Sequence, residues 1–173
     1  MKSERNLSDF IFFVTMKEKK LFTFEEVRQK MVNYCVYQDR CHYEVEQKMQ
    51  EYMLIPEAKD EILLYLMREN YLNEERFARS YTRGKFYLKG WGKNKIKMYL
   101  QQKRISDKLI NTSFEEINEE DYQETLISFI DKNTIDNKGL IDFSKTQKLI
   151  KLLVSKGYEY SLILDVLDEK KHK

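Results

Sequence analysis

The stretch that decides the fold runs from Tyr71 to Ile105 and reads YLNEERFARSYTRGKFYLKGWGKNKIKMYLQQKRI. It holds the only Trp of the chain and three of its five Gly. Between Phe77 and Ser106, a span we call the basic window, there is no Asp or Glu. The window carries nine positive charges, at Arg79, Arg83, Lys85, Lys89, Lys93, Lys95, Lys97, Lys103 and Arg104.

The charge of the whole chain hides this window. The chain has 31 Lys and Arg against 29 Asp and Glu, so the residues outside the window have 22 against 29, a net charge of −7. A nearly neutral protein therefore has a basic centre between acidic flanks, and this uneven distribution is the first indication of function.

The composition predicts a helical protein of one or two domains. The 173 residues are 42% hydrophobic and 35% charged, with a single Pro, and few breakers among many Lys, Glu, Leu and Ile favour helices. Two cysteines six residues apart suggest no disulfide framework, so we expect a cytoplasmic protein. The apolar run Phe10–Met16 (FIFFVTM) is too short to span a bilayer, and we expect residues 1–22 to form a tail and the protein to have no membrane partner.

The helical pattern restarts twice along the chain. Thr23 with Glu26 forms a capping box before the first helix, and Asn73 can cap another helix after residue 72. Five apolar positions recur at a constant offset of 53: Ile96, Leu100, Ile105, Leu109 and Phe114 match Leu149, Leu153, Tyr158, Leu162 and Leu167. Val45 and Met49 match the first two of these positions at an offset of 51.

These offsets predict an internal repeat. We expect an all-α fold of three tandem three-helix repeats, at residues 23–72, 73–118 and 119–173, the middle one basic. Because a three-helix unit buries little alone, stacked units supply the core, and we expect an elongated, curved molecule. The polar residues 131–142 should form a loop in the third repeat.

Helical spacing assigns faces within the middle repeat. On its first helix we expect an apolar stripe of Phe77, Tyr81, Gly84 and Leu88, with Phe86 and Tyr87 pointing outward. Separate stripes should carry cations: Arg76, Arg79 and Arg83 on the first helix, and Lys93, Lys97 and Arg104 with Gln101 on the second.

The cations and Trp91 are the candidate contact residues. One interpretation is a surface for phosphate backbones or an acidic groove; the other is a solvated face that only aids solubility. Trp91 can stack on a base or partner, or pack at a tight turn between Gly90 and Gly92. The candidate residues are Arg76, Arg79, Arg83, Lys85, Lys89, Trp91, Lys93, Lys95, Lys97, Lys103 and Arg104.

Residues for enzyme chemistry are missing from the sequence. His42 with Cys35 and Cys41 fits no zinc spacing. There is no phosphate-binding loop, nucleophile elbow or HExxH motif. We therefore expect no catalytic residues, metal, cofactor or small-molecule substrate.

The central motif resembles the signature of the RecX family. The matching residues are Tyr71 to Ala78 (YLNEERFA), Lys85, Lys89 to Gly92 (KGWG), Lys95-Ile96 and Leu100. Arg40-Cys41-His42 resembles the first repeat of that family and Lys156-Gly157-Tyr158 the third. One departure is Lys103-Arg104-Ile105, where the family usually has Lys-Gly-Ile; either Arg104 adopts a left-handed conformation at some cost, or the turn differs.

The resemblance implies a function as well as a fold. RecX proteins are bacterial, non-enzymatic regulators of the RecA recombinase that bind RecA–DNA filaments. They inhibit filament extension, ATP hydrolysis and strand exchange, and so modulate recombination and DNA repair in the SOS response. The implied partners are the RecA filament and single-stranded DNA, bound weakly or through the filament. The alternative is a general helical DNA-binding module without a recombinase partner.

Overall fold

The computed structural model describes residues 21–134 and 143–171, and regular structure over these residues is entirely helical. Besides the α-helices there is a 3₁₀ segment, Phe114–Glu116. The α-helices are α1 Phe24–Tyr37, α2 His42–Met49, α3 Pro56–Arg68, α4 Glu74–Lys89, α5 Lys93–Gln102, α6 Asp107–Ser113, α7 Glu119–Thr134, α8 Phe143–Lys156 and α9 Tyr160–Lys171.

The helices form three consecutive units of three: α1–α3 (unit 1), α4–α6 (unit 2) and α7–α9 (unit 3). The predicted all-α fold of tandem three-helix repeats is confirmed. The prediction of a loop over residues 131–142 was wrong for its first four residues, because residues 131–134 form the last turn of α7. The remainder of that loop and the run Phe10–Met16 lie outside the described residues.

The helix starts follow the local sequence. Thr23 and Glu26 form both bonds of the capping box: Thr23 Oγ1 accepts from the Glu26 amide at 3.3 Å, and the Thr23 amide donates to Glu26 Oε2 at 2.8 Å. Asn73 Oδ1 accepts from the Arg76 amide at 3.0 Å and caps α4. Each cap satisfies backbone donors that the first helical turn leaves unpaired.

The described core consists of two apolar clusters. Unit 1 has its own, built around Val27, Met31, Ile62 and Leu66. Units 2 and 3 share the second cluster, to which the repeat positions on α5 and α8 contribute: Ile96, Leu100, Leu149 and Leu153. The apolar positions that recur at an offset of 53 are all buried or half-buried, so the repeat pattern located this core correctly.

Two side chains of α4 were assigned to the wrong face. Leu88, expected in the apolar stripe, is 80% exposed, and Phe86, expected outside, is 2% exposed. The Phe86 ring packs at 5.6 Å from the ring of Tyr122 on α7. Phe86 shares its face of α4 with the buried Thr82, whose hydroxyl lies 2.8 Å from that of Ser113 on α6, so packing on α6 and on unit 3 together buries this face. Tyr87 is exposed as expected, and its hydroxyl donates to Asp121 at 2.7 Å.

Glycines bring the backbones of units 2 and 3 together. The Gly92 amide donates to the Lys156 carbonyl at 2.8 Å, and the Asn94 amide donates to the Gly157 carbonyl at 3.0 Å. A Cβ on Gly92 would overlap the carbonyl group of Gly157. The carbonyls at the end of α8 thus cap the start of α5, and the two helices abut end to end.

Gly90 closes the turn that leads into this junction. Its φ of 61° is left-handed, and it ends α4. The Gly90 and Trp91 amides donate to the carbonyls of Phe86 and Lys85, at 2.8 and 3.2 Å, which is the pattern of a glycine C-cap. The turn fixes where Trp91 and the lysines on either side of it lie.

Candidate functional site

The candidate cations fall into two groups in the structure. Six of them lie within ion-pair distance of a carboxylate, and we call these the acid-paired cations. Four of them have no ion pair with any described carboxylate, and we call these the open lysines. The acid-paired cations are Arg76, Arg79, Arg83, Lys93, Lys103 and Arg104, and the open lysines are Lys85, Lys89, Lys95 and Lys97.

Arg79 is the most heavily compensated of these cations. It contacts Glu75, Glu115 and Glu116, each at 3.1 Å, and Arg83 shares Glu116 at 2.9 Å. Hydrogen bonding to Glu115, and then to the other two carboxylates, raises the pKa of Arg79. These contacts tie α4 to the 3₁₀ segment, so both arginines have a structural role within unit 2.

Other acid-paired cations join unit 2 to unit 1. Arg76 Nε lies 2.8 Å from Asp39, and its guanidinium also donates to the carbonyls of Asn70 and Tyr71 at 3.0 and 3.1 Å. Lys103 Nζ lies 2.5 Å from Glu44 Oε1. Because both side chains of that second pair are about one-fifth exposed, at 21% and 17%, the pair is screened less than a surface pair.

Arg104 completes the junction of units 1 and 2. Its guanidinium lies 3.5 Å from Glu46 and 5.1 Å from the ring of Tyr43. Its φ of 62° confirms the left-handed conformation expected from the sequence. Gly157, which lies 53 residues further on at the equivalent repeat position, also has a positive φ, 95°. The two contacts with α2 offset the strain of a non-glycine residue here.

Lys93 is held by unit 3 instead. Its Nζ lies 2.7 Å from Glu119 and 4.5 Å from the ring of Tyr122. Its amide donates to the Tyr122 hydroxyl at 3.0 Å, and that hydroxyl donates to Glu159 at 2.7 Å. Burial raises the pKa of Tyr122, so the phenol stays protonated and keeps this chain of hydrogen bonds.

Three of the open lysines, Lys85, Lys89 and Lys95, lie beside the turn that holds Trp91, whereas helical spacing places Lys97 on the opposite side of α5 from Lys95. Lys85 Nζ lies 5.1 Å from the Trp91 ring and 5.0 Å from the Tyr81 ring, and Lys95 Nζ lies 4.7 Å from the Trp91 ring. Lys89 is exposed and Lys97 is partly exposed. Cation–π contacts at exposed sites contribute only about 0.5–1 kcal/mol. These charges can therefore move to a phosphate without breaking an ion pair.

Trp91 packs at the turn, which is one of the two roles expected for it, and its stacking on a base or partner stays a prediction. The ring packs at 4.9 Å from Tyr99, and the side chain is only partly buried against the core of units 2 and 3. A groove of about 490 Å³ lies beside it, lined by aromatic and basic side chains. Tyr81, Lys85, Lys89, Tyr99 and Lys103 contribute to its wall. Burial raises the pKa of Tyr81 to about 12, so its phenol is uncharged at neutral pH.

The acid partners could not be found from sequence. Apart from Glu75, which lies four residues before Arg79 on α4, they lie between 26 and 59 residues from their cations, in other units or in the 3₁₀ segment. The only indication of them in the sequence was the acidic character of the segments on either side of the basic window. The fold brings these acidic segments into contact with the basic window. The stripe of Lys93, Lys97 and Arg104 is therefore divided, and only Lys97 lacks a described acid partner.

His42, Cys35 and Cys41 have side chains of the kinds that can bind metals. Within residues 21–134 and 143–171, no group of three or more His, Cys, Asp or Glu side chains is arranged to hold a metal. Cys35 and Cys41 are free and buried. His42 lies between units 1 and 2, with Nδ1 at 2.8 Å from Glu74 Oε1.

Length and hydropathy distinguish the described helices from a membrane span. Among the helices described, none combines the length and the apolar character needed to cross a bilayer.

Comparison with known sequences gives consistent matches. The family model for the second three-helix domain of RecX matches residues 73–113. A "Regulatory protein RecX" of Clostridium perfringens (strain 13) is 33% identical over 98 residues, which are 56% of this chain and 45% of that protein. One from Bacillus thuringiensis (strain Al Hakam) is 27% identical over 150 residues, 85% of this chain and 56% of that protein. The chain spans about half the length of the curated relatives it matches.

Solved structures match the fold. RecX from Lactobacillus salivarius superposes with a TM-score of 0.75 at 23% identity, covering 87% of this chain and 97% of that one. A second structure, of a regulatory protein RecX, gives a TM-score of 0.73 at 22% identity, with 94% and 87% covered. The sequence matches therefore show that the chain is similar to RecX regulatory proteins, with the family model matching the basic middle unit, and the solved structures show that it shares the RecX fold.

Proposed function

We propose that this protein is a non-enzymatic regulator that binds RecA–DNA filaments through the open lysines of the basic window. It inhibits filament extension, ATP hydrolysis and strand exchange, and so modulates recombination and DNA repair. The observation that carries the proposal is the set of open lysines, which have no described acid partner although six neighbouring cations do. The likeness to RecX regulatory proteins supports the regulatory role.

The physical basis is the free-energy cost of replacing a carboxylate that is already paired with a cation by a phosphate or carboxylate of the partner. A phosphate or partner carboxylate that approached Arg79 or Lys103 would have to displace a carboxylate already bound. Approach to Lys89 or Lys97 displaces only water among the described groups, and releasing counterions from the polyanion favours binding. The partner should therefore bind at the open lysines rather than at the arginine stripe of α4.

The proposed compartment is the cytoplasm, where a recombinase filament forms on DNA. The free thiols of Cys35 and Cys41 suit a reducing environment.

The test is a titration of RecA ATP hydrolysis on single-stranded DNA. We expect inhibition at well below one protein per RecA. Inhibition that appears only when the protein saturates the free DNA would favour the alternative, a DNA-binding module without a recombinase partner. The variant Lys85→Gln/Lys89→Gln/Lys97→Gln should inhibit much less than wild type with an unchanged circular dichroism spectrum.

The matched control replaces three lysines outside the site, Lys59, Lys108 and Lys132, which also have no described ion pair. That variant should inhibit like wild type. Charge reversal at Lys93 or Arg104 is a poorer test, because it would break contacts with Glu119 and Glu46 and confuse binding with folding. Equal inhibition by the open-lysine and control variants would remove the open lysines from the mechanism.

A further inference from the structure

The middle helix of unit 3 has the same charge pattern as the basic window. From Phe143 to Tyr158 there are four lysines, Lys145, Lys148, Lys151 and Lys156, and no Asp or Glu. Lys148 and Lys151 are exposed on α8, and neither has an ion pair with a described carboxylate. Unit 3 therefore carries a second basic helix.

The repeat relates this helix to α5 position by position. The offset of 53 places Lys148 at the position of Lys95 and Lys156 at the position of Lys103. In unit 1 the equivalent position has the opposite charge, because the offset of 51 places Glu44 at the position of Lys95. Glu46 likewise stands where α5 has Lys97. The middle helices of the three units are therefore acidic, basic and basic in chain order.

The two basic helices join end to end. The end of α8 caps the start of α5 through the backbone bonds of Gly92 and Asn94. Lys148, Lys151 and Ser155 share one stripe of α8 by their spacing of three and four residues. Lys95 Nζ on α5 donates to the Ser155 carbonyl at 3.1 Å. The exposed stripe of α8 thus leads directly to the open lysines.

The C-terminal end of α5 contacts carboxylates of unit 1. Lys103 and Arg104 meet Glu44 and Glu46 of α2, so the positive surface is interrupted at unit 1. With 10 residues in α5 and 14 in α8, the two helices have a combined length of about 36 Å at 1.5 Å per residue. A duplex of about ten base pairs has the same length.

We infer that α8 and α5 form one track for a nucleic-acid backbone, on which Lys148 and Lys151 of unit 3 bind phosphates together with the open lysines of unit 2. Unit 1 lies outside the track because α2 presents carboxylates. The inference rests on the proposed function for the presence of DNA in the complex. It adds a site on unit 3 and gives the ligand as the phosphate backbone rather than an acidic protein surface.

The test measures DNA binding without recombinase. Fluorescence anisotropy of a labelled single strand and of a duplex of about 20 base pairs is followed between 50 and 200 mM salt. For Lys148→Gln/Lys151→Gln, two lost phosphate contacts should reduce the slope of log K against log salt by about 1.8 on duplex and about 1.4 on single strands. Affinity at low salt should fall about tenfold, and the circular dichroism spectrum should not change.

The control Lys59→Gln/Lys108→Gln should keep the wild-type slope. An unchanged slope for Lys148→Gln/Lys151→Gln, or no DNA binding by the wild-type chain at any salt concentration, would overturn the inference. A variant that loses inhibition of RecA while keeping the wild-type slope would assign α8 to an acidic protein surface, and that result also overturns it. Reduced DNA binding in a protein that never inhibits RecA would instead contradict the proposed function and leave the track in place.

Discussion

Replacing Gly92 by Ala tests whether the glycine contact holds units 2 and 3 together. The added methyl group would overlap the carbonyl group of Gly157 and the amide nitrogen of Tyr158. These are backbone atoms, which cannot rotate away as the end of a flexible side chain can. The two backbones must therefore separate, and the bonds from the Gly92 and Asn94 amides to unit 3 lengthen or break.

The expected loss of stability is about 3 kcal/mol. Each of the two hydrogen bonds contributes about 1 kcal/mol. Separation also loosens the aromatic contacts behind the turn, where the ring of Tyr158 lies 5.2 Å from Tyr122 and 6.2 Å from Phe129. Imperfect packing at such a site costs about 1–2 kcal/mol. The sum is a large part of the 5–15 kcal/mol that separates folded from unfolded states in typical domains.

Urea unfolding followed by Trp91 fluorescence is the assay. The chain has a single Trp, and it immediately precedes Gly92, so the signal comes from the perturbed turn. Gly84→Ala is the matched control: no heavy atom lies within 4 Å of its added Cβ, and α4 should gain about 0.5–1 kcal/mol there. A Gly92→Ala protein with the wild-type midpoint and emission spectrum would refute the account of the junction.

Two further substitutions test local conformation and burial. Arg104→Gly and Arg104→Ala both lose the contacts with Glu46 and Tyr43, but only Ala keeps the strain of the left-handed backbone. The glycine variant should therefore unfold at higher urea, by about 1 kcal/mol, and equal midpoints would contradict this. Burial raises the pKa of the Cys35 thiol from 9.0 to about 11, so the folded state holds its proton more tightly than the unfolded state. That stability is complete below pH 9 and is lost as the pH rises through 11. Between pH 8 and 11, wild type should lose about 2 kcal/mol more than Cys35→Ala, whereas parallel pH profiles would show that burial of the thiol contributes nothing.

The sequence predicted features that depend on neighbouring residues or on the repeat. The caps at Thr23 and Asn73 need only residues within one helical turn. The core positions on α5 and α8 follow from an offset that every unit must satisfy to stack on the next. The left-handed Arg104 was expected because glycine is usual at that repeat position, and its φ of 62° agrees.

Features set by contacts between units could not be predicted. The buried face of α4 depends on Ser113 of α6, 31 residues beyond Thr82, and on Tyr122, 36 residues beyond Phe86, and the α4 sequence carries apolar side chains on both faces. The ion pairs of Arg76 and Lys103 depend on Asp39 and Glu44, whose approach is set by how unit 1 meets unit 2. Counting charge along the chain therefore located a basic window but could not tell which of its cations remain open.

The placement of lysines at the start of α5 breaks a local rule. The first turn has Lys93 and Lys95 and no acidic residue, and cations at the positive end of a helix dipole cost about 0.3–1 kcal/mol each. Stacking offsets this cost, because the negative end of α8 abuts this turn and Lys95 donates to the Ser155 carbonyl. At the far end of α5 the charges agree with the dipoles, since Lys103 meets Glu44 in the first turn of α2.

The two junctions therefore differ in kind. Units 2 and 3 share an apolar core and backbone hydrogen bonds, which salt hardly weakens, whereas unit 1 adds only Cys41 and Tyr43 among its described residues to that core and meets unit 2 through several ion pairs, which salt screens. The same ionic contacts hold the carboxylates of α2 against the end of the basic track. A polyanion that bound Lys103 or Arg104 would have to displace Glu44 or Glu46, and it would thereby weaken the contact between units 1 and 2.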